Sequence, residues 1–422
     1  MKLLEKFKKY AKISLATCMV LPPLLFMGKQ ALAENTPDMT SPKNIETILE
    51  EKDTESSMPE REIILNFENP ITNVEANSNA WYSTNQIFGK FNDLLGEELE
   101  LDDHPLGRIG LLALAFYRSK WIGLSSHEFA HIRVGQKFGE YPWDFEMNSF
   151  FNIGNNWSKR FEYYPTDEEL MQERIAGLNQ DEHNAYTLTK NNLDNLTFDN
   201  AMVFLRSKFW DLKYNINSGE EKNVDDVEEY IRLLNKKEIN LSKKEFLVHS
   251  LLADLASSPD SIRTLWNYII NGDRTTERMK LDVLGVEFTM PLVNHYLTPD
   301  GSYFNITFTC LNGENPIEIN IGTDVDFLGG GEVDHLRLGG QYNNLKLIDK
   351  EQFPTLSPFI YINTDKSFDY KGFSIGTEAD LAIFDTLSLT GKFDYSKNDI
   401  MENTVKGKEE GFNFYLGIKK SF

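Results

Sequence analysis

From about Lys280 to the end of the chain, apolar and polar residues alternate with a period of two. Ile317, Ile319, Ile321, Val325 and Phe327 alternate with Glu318, Asn320, Gly322, Asp324 and Asp326. Leu387, Leu389, Phe393 and Tyr395 do so with Ser388, Thr390, Lys392 and Asp394, and Phe412, Phe414, Leu416 and Ile418 with Asn413, Tyr415, Gly417 and Lys419. Extended strands put successive side chains on opposite faces, so this pattern requires sheet with one apolar and one polar face. About eight strands are expected, near 284–293, 302–310, 316–327, 333–342, 356–363, 372–383, 386–396 and 411–422. Asp300-Gly301, Asn312-Gly313 and Gly329-Gly330-Gly331 mark turns between them. An even number of two-faced strands fits a small closed antiparallel barrel. With the apolar face inward such a barrel is soluble; with that face outward it sits in an outer membrane.

Upstream, from about 80 to 279, the period is helical. Helices are expected over Gln86–Leu95, Pro105–Phe138, Phe198–Lys208, Val224–Leu234, Ser242–Ala256 and Ser261–Ile270, with another starting at Thr166-Asp167-Glu168-Glu169, where three acids fall in a first turn. Asn179-Gln180-Asp181-Glu182 resembles a further capping box. Tyr141 to Tyr164, rich in aromatics and Asn, reads as a long loop or a short hairpin. The longest uncharged run of the apolar helix, Ile109 to Tyr117, is too short to span a bilayer, so that helix belongs to a core.

The first 33 residues stand apart. Five lysines open the chain, an apolar run from Ile13 to Met27 follows, and Ala31-Leu32-Ala33 supplies a signal-peptidase pattern, so 1–33 is expected to be a cleaved secretory signal. It carries six Lys and one Glu, and its removal takes the net charge from −22 to −27. Such acidity repels phosphate and excludes nucleic acid as a partner. Cys18 leaves with the signal, Cys310 remains alone, and no intrachain disulfide can form in the mature chain. Residues 34–79 are polar and acidic and read as a mobile linker, with one short strand possible at Ile63, Leu65 and Phe67.

Within the long apolar helix lies Ser125-Ser126-His127-Glu128-Phe129-Ala130-His131. Residues four apart share a helix face, so His127 and His131 can offer two imidazoles to one zinc ion. Glu128 can hold and deprotonate a water beside that ion. His127-Glu128-x-x-His131 resembles the signature of the zincin metallopeptidases. Val134 and Lys137 stand where the metzincin branch has Gly and His, which leaves the gluzincin type, whose third ligand is a Glu on a later helix. Two segments match its E-x-x-A pattern: Glu173-Arg174-Ile175-Ala176 and Glu182-His183-Asn184-Ala185, neither followed by the family's Asp. Glu173 is the first choice, because Ala176-Gly177 in the next turn lets another helix approach closely. Glu182 follows, with a capping role as its structural explanation, and then Asp181 and His183. The resemblance implies metal-assisted peptide hydrolysis with Glu128 as general base; Tyr186 or His183 are candidates for steadying the oxyanion. It covers about 105–190.

The last strand stops at Phe422 and resembles the C-terminal strand of bacterial outer-membrane proteins. The expectation is therefore an α+β, multidomain chain: signal 1–33, linker 34–79, a helical zinc metallopeptidase-like domain 80–279 and an antiparallel β-barrel 280–422, most readily an outer-membrane one. Its metal ligands would be drawn from His127, His131, Glu173 and Glu182. The expected setting is the cell envelope, with the catalytic domain in the periplasm, a protein or peptide substrate, and lipid around the barrel. The alternatives are a soluble periplasmic enzyme, a barrel or structural protein with an inactive zinc site, or a zinc hydrolase acting on a non-protein envelope substrate.

Overall fold

The computed structural model describes residues 59, 61–66, 73–138, 140–142, 146–147, 155–156, 159–161, 165–210, 226–311, 315–324, 335–346, 353–365, 367–384, 386–406 and 410–421. The chain divides into two units, 1–57 and 58–422, and all described residues lie in the second. The expected signal segment, Phe422 and the Gly329-Gly330-Gly331 turn lie outside them.

The helices are α1 (Val74–Glu98), α2 (Pro105–Lys137), α3 (Asp167–Lys190), α4 (Phe198–Lys208), α5 (Asp226–Lys236), α6 (Lys243–Ser257) and α7 (Pro259–Asn271). Their starts follow local chemistry. Asn73 caps α1 by accepting from the Ala76 amide, and Pro105 opens α2. Thr166 with Glu169 and Ser242 with Glu245 form capping boxes for α3 and α6. The expected box at Asn179 is instead mid-helix, because nothing breaks α3 there and the Asn179 side chain bonds to a strand. The 140–161 segment contains two nested antiparallel pairs, 140–142 with 159–161 and 146–147 with 155–156.

The strands of the main sheet are β1 (Glu62–Asn66), β2 (Lys280–Val283), β3 (Val286–Thr289), β4 (Leu292–Thr298), β5 (Gly301–Cys310), β6 (Ile317–Asp324), β7 (Leu336–Tyr342), β8 (Thr355–Thr364), β9 (Tyr370–Phe384), β10 (Leu387–Lys397) and β11 (Gly411–Ser421). All pairings are antiparallel, and a two-residue strand at 345–346 brings the sheet to 12. The order is β1-β11-β10-β9-β8-β7-β6-β5; β5 then pairs along β4 and, at Cys310, with β3, which pairs with β2. The first expected strand, 284–293, starts in a turn at Leu284-Gly285, where both residues have positive φ, and is split into β3 and β4 at Met290-Pro291.

The expected closed barrel is corrected to an open sheet: among the described residues β1, at one end, pairs with none of β2, β3 and β4 at the other. The reason lies in the edges, whose hydrogen bonds helix side chains already take. On β1, Ser83 of α1 accepts from the Ile64 amide and donates to its carbonyl, both at 2.7 Å. On β4, Ser257 of α6 does the same for Val293 at 2.8 and 3.0 Å, and Lys208 adds a bond to the Val293 carbonyl. Asn179 of α3 accepts from the Leu297 amide at 2.8 Å and donates to its carbonyl at 2.9 Å, while Glu182 accepts from the His295 amide. At Ile64 on β1 and at Val293 and Leu297 on β4 both backbone groups are thus taken and have nothing left to offer another strand.

The two faces of the sheet are inverted relative to a soluble sandwich. Glu318 (3% exposed) and Asn320 (4%) are buried while Ile319 between them is 40% exposed. Arg337, Gln341, Asn363, Ser374, Lys392, Asp394 and Ser396 are buried; Leu338, Ile360, Ile362, Ile375, Phe393, Phe412 and Phe414 are exposed. Strands at both ends of the sheet, through Ile64, Tyr296 and Asn305, line one polar cavity of about 360 Å³, so the sheet curves around it. The C-terminal half of α3 enters that interior. The Tyr186 hydroxyl donates to both oxygens of Glu318 at 3.1 and 3.0 Å, and Lys190 donates to Glu378 at 2.6 Å.

A second buried polar system ties the helices to β1. Arg61 binds Asp93 at 2.6 Å and Asp199 at 3.1 Å; Arg118 also reaches Asp199, and Arg274 joins Asp93 to Asp102. Arg61, Asp93 and Asp199 have no exposed side-chain surface, so each charge is held by its partners rather than by water.

Asn179→Leu should orphan the amide and carbonyl of Leu297 at the sheet edge, at about 1–3 kcal/mol for each group. Chemical denaturation beside wild type measures this; an unchanged midpoint would show that the edge does not depend on side-chain capping.

Candidate metal centre

The centre forms where α2 crosses α3. A buried polar network fixes that crossing. Asn184 donates to the Ser126 hydroxyl at 2.9 Å, Ser126 donates to Asn77 at 3.0 Å, Ser78 donates to Asn184 at 2.8 Å, and Gln180 donates to Ser78 at 2.7 Å. All five side chains are buried.

Small residues permit the close approach. A Cβ on Gly177 would fall 2.3 Å from His127 Nε2, so only glycine leaves room for the imidazole. On α2, a Cβ at Gly123 would overlap the Arg206 guanidinium, which must lie there to reach Asp181.

His127 and His131 are both buried, and their Nε2 atoms are 3.2 Å apart. Each ring is anchored through its other nitrogen. His127 Nδ1 is 2.8 Å from Asp181 Oδ2, and the other oxygen of Asp181 accepts from Arg206 at 2.6 Å. His131 Nδ1 is 2.7 Å from the Glu173 carbonyl oxygen. Both neighbours are acceptors, so both Nδ1 atoms carry hydrogen and both neutral rings turn an Nε2 lone pair inward. Two lone pairs at 3.2 Å repel unless a proton or a cation lies between them. The spacing matches the separation of about 3.3 Å for two imidazole nitrogens on one tetrahedral zinc. A carboxylate behind a ligating histidine is the usual support for such a site.

A third ligand atom comes from α5. Asp226 Oδ2 lies 3.5 Å from His131 Nε2, and its Oδ1 is held by Arg174 at 3.1 Å. Among the described residues, His127, His131 and Asp226 form the group of metal-ligating side chains with ligand atoms within 4.8 Å of one another. Charge links the members. Burial alone would lower the His127 pKa, but the Asp181 carboxylate, with Glu128 and Asp226, raises it. Burial alone would raise the Asp226 pKa, but His131, His127 and Arg174 lower it.

The other residues expected at the site are placed as follows. Glu128 follows His127 on α2, half-buried and near enough for its charge to act on that ring. Glu173 meets His131 through its backbone carbonyl; its carboxylate lies 3.6 Å from His131 Nδ1, the nitrogen facing away from His127, and 3.4 Å from Arg174. Glu182 is engaged by Lys208 at 2.5 Å and Asn294 at 2.7 Å as part of the β4 edge. Asp181 supports His127. His183 lines the cavity inside the sheet and stacks on Tyr186, where burial and the Lys406 cation push its pKa down to about 3. Asp226 is the member that sequence reasoning missed: it lies 95 positions beyond His131 in a helix opening with ordinary first-turn acids, and no spacing rule connects the two.

Comparison with protein-family models, with curated proteins and with solved structures finds no match for this chain.

Gly177→Ala should displace the His127 ring and abolish tight zinc binding, whereas Gly110→Ala, on the same helix as His127 with open space around it, should leave binding unchanged. Asp181→Asn should weaken zinc affinity about 10–100-fold. Competition against a chromogenic chelator ranks the three; a tight-binding Gly177→Ala variant would separate the helix crossing from the metal centre.

Proposed function

We propose that His127, His131 and Asp226 hold a zinc ion and that the chain hydrolyses peptide bonds of proteins or peptides in the cell envelope. The observation that carries this is the pair of buried Nε2 atoms 3.2 Å apart, each ring already anchored through Nδ1. A zinc ion bound there supplies a Lewis acid for the scissile carbonyl and lowers the pKa of an attacking water to about 7. Every other role falls to the chain. Glu128 takes the proton of the attacking water and passes it to the leaving amine. Asp181, backed by Arg206, and the Glu173 carbonyl fix the two imidazoles in the tautomer that ligation needs. Arg174 orients Asp226 by holding its second oxygen.

We further propose that the sheet lies in the outer membrane with the metal centre on the periplasmic side. Support comes from the outward row of Ile, Leu and Phe side chains across β6 to β11 and the buried charges behind it. Water would reward the opposite arrangement, whereas lipid matches this one. The side-chain caps at Ile64, Val293 and Leu297 support it too, since open backbone groups are not tolerated in hydrocarbon. Among the described residues no helix is long and apolar enough to cross a membrane.

Glu128→Gln should keep stoichiometric zinc and lose hydrolysis; His127→Ala and His131→Ala should lose both. Asp226→Asn should weaken zinc more than Glu173→Gln or Glu182→Gln. Metal analysis and a mixed substrate panel read the outcome. Wild-type turnover in Glu128→Gln would exclude Glu128 as base, and a larger loss in Glu173→Gln would restore that residue as third ligand. Zinc without turnover on any substrate would indicate an inactive site in a structural protein, and turnover on non-peptide substrates alone a different hydrolase.

Ile360→Arg, on the outer face of the sheet, should destabilise the membrane-inserted form by about 2–4 kcal/mol if it lies near the midplane. Fractionation and heat-modifiable gel mobility test the placement; a wild-type protein recovered wholly in the soluble periplasmic fraction would remove it.

A further inference from the structure

The helices repeat the inversion seen in the sheet. Between Leu247 and Ile270, the exposed residues of α6 and α7 are Leu252, Leu255, Ala256, Ile262, Trp266 and Ile270, all apolar. The first half of α2 exposes Leu106, Ile109, Ala113 and Phe116. These spacings of three, four and seven mark one face of each helix. A helix on a water-facing surface puts polar residues there; α6 and α7 bury Ser250, Asp254, Asp260, Ser261 and Thr264, and the charged side chain beside the α7 stripe is Arg263, 39% exposed. Trp266, 64% exposed, stands near the centre of the α7 stripe.

The position of α6 joins this surface to the sheet. On β4 and β5 the cavity is lined by Tyr296 and Asn305, with Tyr303 paired opposite Tyr296, so His295, Ser302 and Phe304 point to the outer face. That is where α6 packs. Ser250 lies 3.1 Å from His295 Nδ1, His249 lies 3.4 Å from the Ser302 hydroxyl, and the His249 ring contacts Phe304 edge-on. Helix α6 therefore rests on the same outer face that is bare and apolar from β6 to β11, with its own Leu252 and Leu255 turned outward. Helix α7 follows α6 directly in the chain and shares with α2 a core of Leu111, Leu112, Ala115, Phe198 and Tyr268 beneath their exposed stripes.

We infer that the outward faces of α6, α7 and the first half of α2 contact lipid acyl chains side-on, extending the membrane-contacting surface past the open edge of the sheet. This rests on the outer-membrane reading of the sheet. Continuity with the sheet's apolar face favours lipid over a second copy of the chain as the occupant. One consequence concerns substrate. Helix α2 runs from this face to the metal centre, and His127 lies about 16 Å along the helix from Phe116. The polypeptide presented to the centre would be a membrane-proximal one.

Trp266 is a built-in reporter. The full chain is reconstituted into phosphatidylcholine vesicles with brominated acyl chains, and tryptophan quenching is compared for wild type, Trp266→Phe and Phe414→Trp in the Trp266→Phe background. The expected result is a quenched component in wild type that Trp266→Phe loses and Phe414→Trp restores from the sheet. If Trp266→Phe loses nothing while the added tryptophan at position 414 is quenched, the helices do not meet lipid; the inference fails and the reading of the sheet stands. If neither position is quenched, both fall. Protection of Trp266 from bromine together with a crosslinked dimer would assign this face to a second copy and overturn the inference.

Discussion

Helix α3 carries demands from two directions, and the fold is arranged to meet both. Its stretch from Glu173 to Asp181 presents the Glu173 carbonyl, the bare backbone of Gly177 and the Asp181 carboxylate to the two histidines of α2. Its middle gives Asn179 and Glu182 to the edge of β4, and its last turns send Tyr186 and Lys190 into the polar interior of the sheet. A shift of this helix would move the histidine anchors, the edge caps and the interior ion pair together. Proposed metal chemistry and sheet architecture are thus mechanically one unit, although the sequence presents them as two consecutive domains.

The second constraint is the treatment of backbone polarity. A curved sheet that does not close leaves two rows of amides and carbonyls, and each must find a partner. Closure would have provided them strand to strand. Here serine and asparagine side chains imitate a neighbouring strand by donating and accepting at one residue, which frees the gap for helices. The same economy explains how so many charges can be buried: Arg61, Asp93 and Asp199 satisfy one another across elements far apart in sequence.

Much of this was legible because it is local. The alternation after Lys280 gave the strands and their two faces, since a period of two has one geometric meaning. The helices at 105, 198, 243 and 259 were readable from apolar spacing and start signals such as Pro105 and Ser242. The pair His127 and His131 needed only the pitch of a helix. The expected box at Asn179 shows where local reasoning misleads: its polar residues look like a helix start, yet they serve a strand about 118 positions away.

The sequence by itself determined which segments are helix or strand, which strand face is apolar, and that two imidazoles share a helix face. These follow from backbone geometry acting over a few residues. Only the tertiary structure decided that the sheet stays open, that the apolar face is the outer one, that Asp181 and the Glu173 carbonyl anchor the rings, and that Asp226 completes the cluster. Each of those depends on contacts between residues tens to hundreds of positions apart, and such contacts are set by how whole elements pack, which no short-range pattern records.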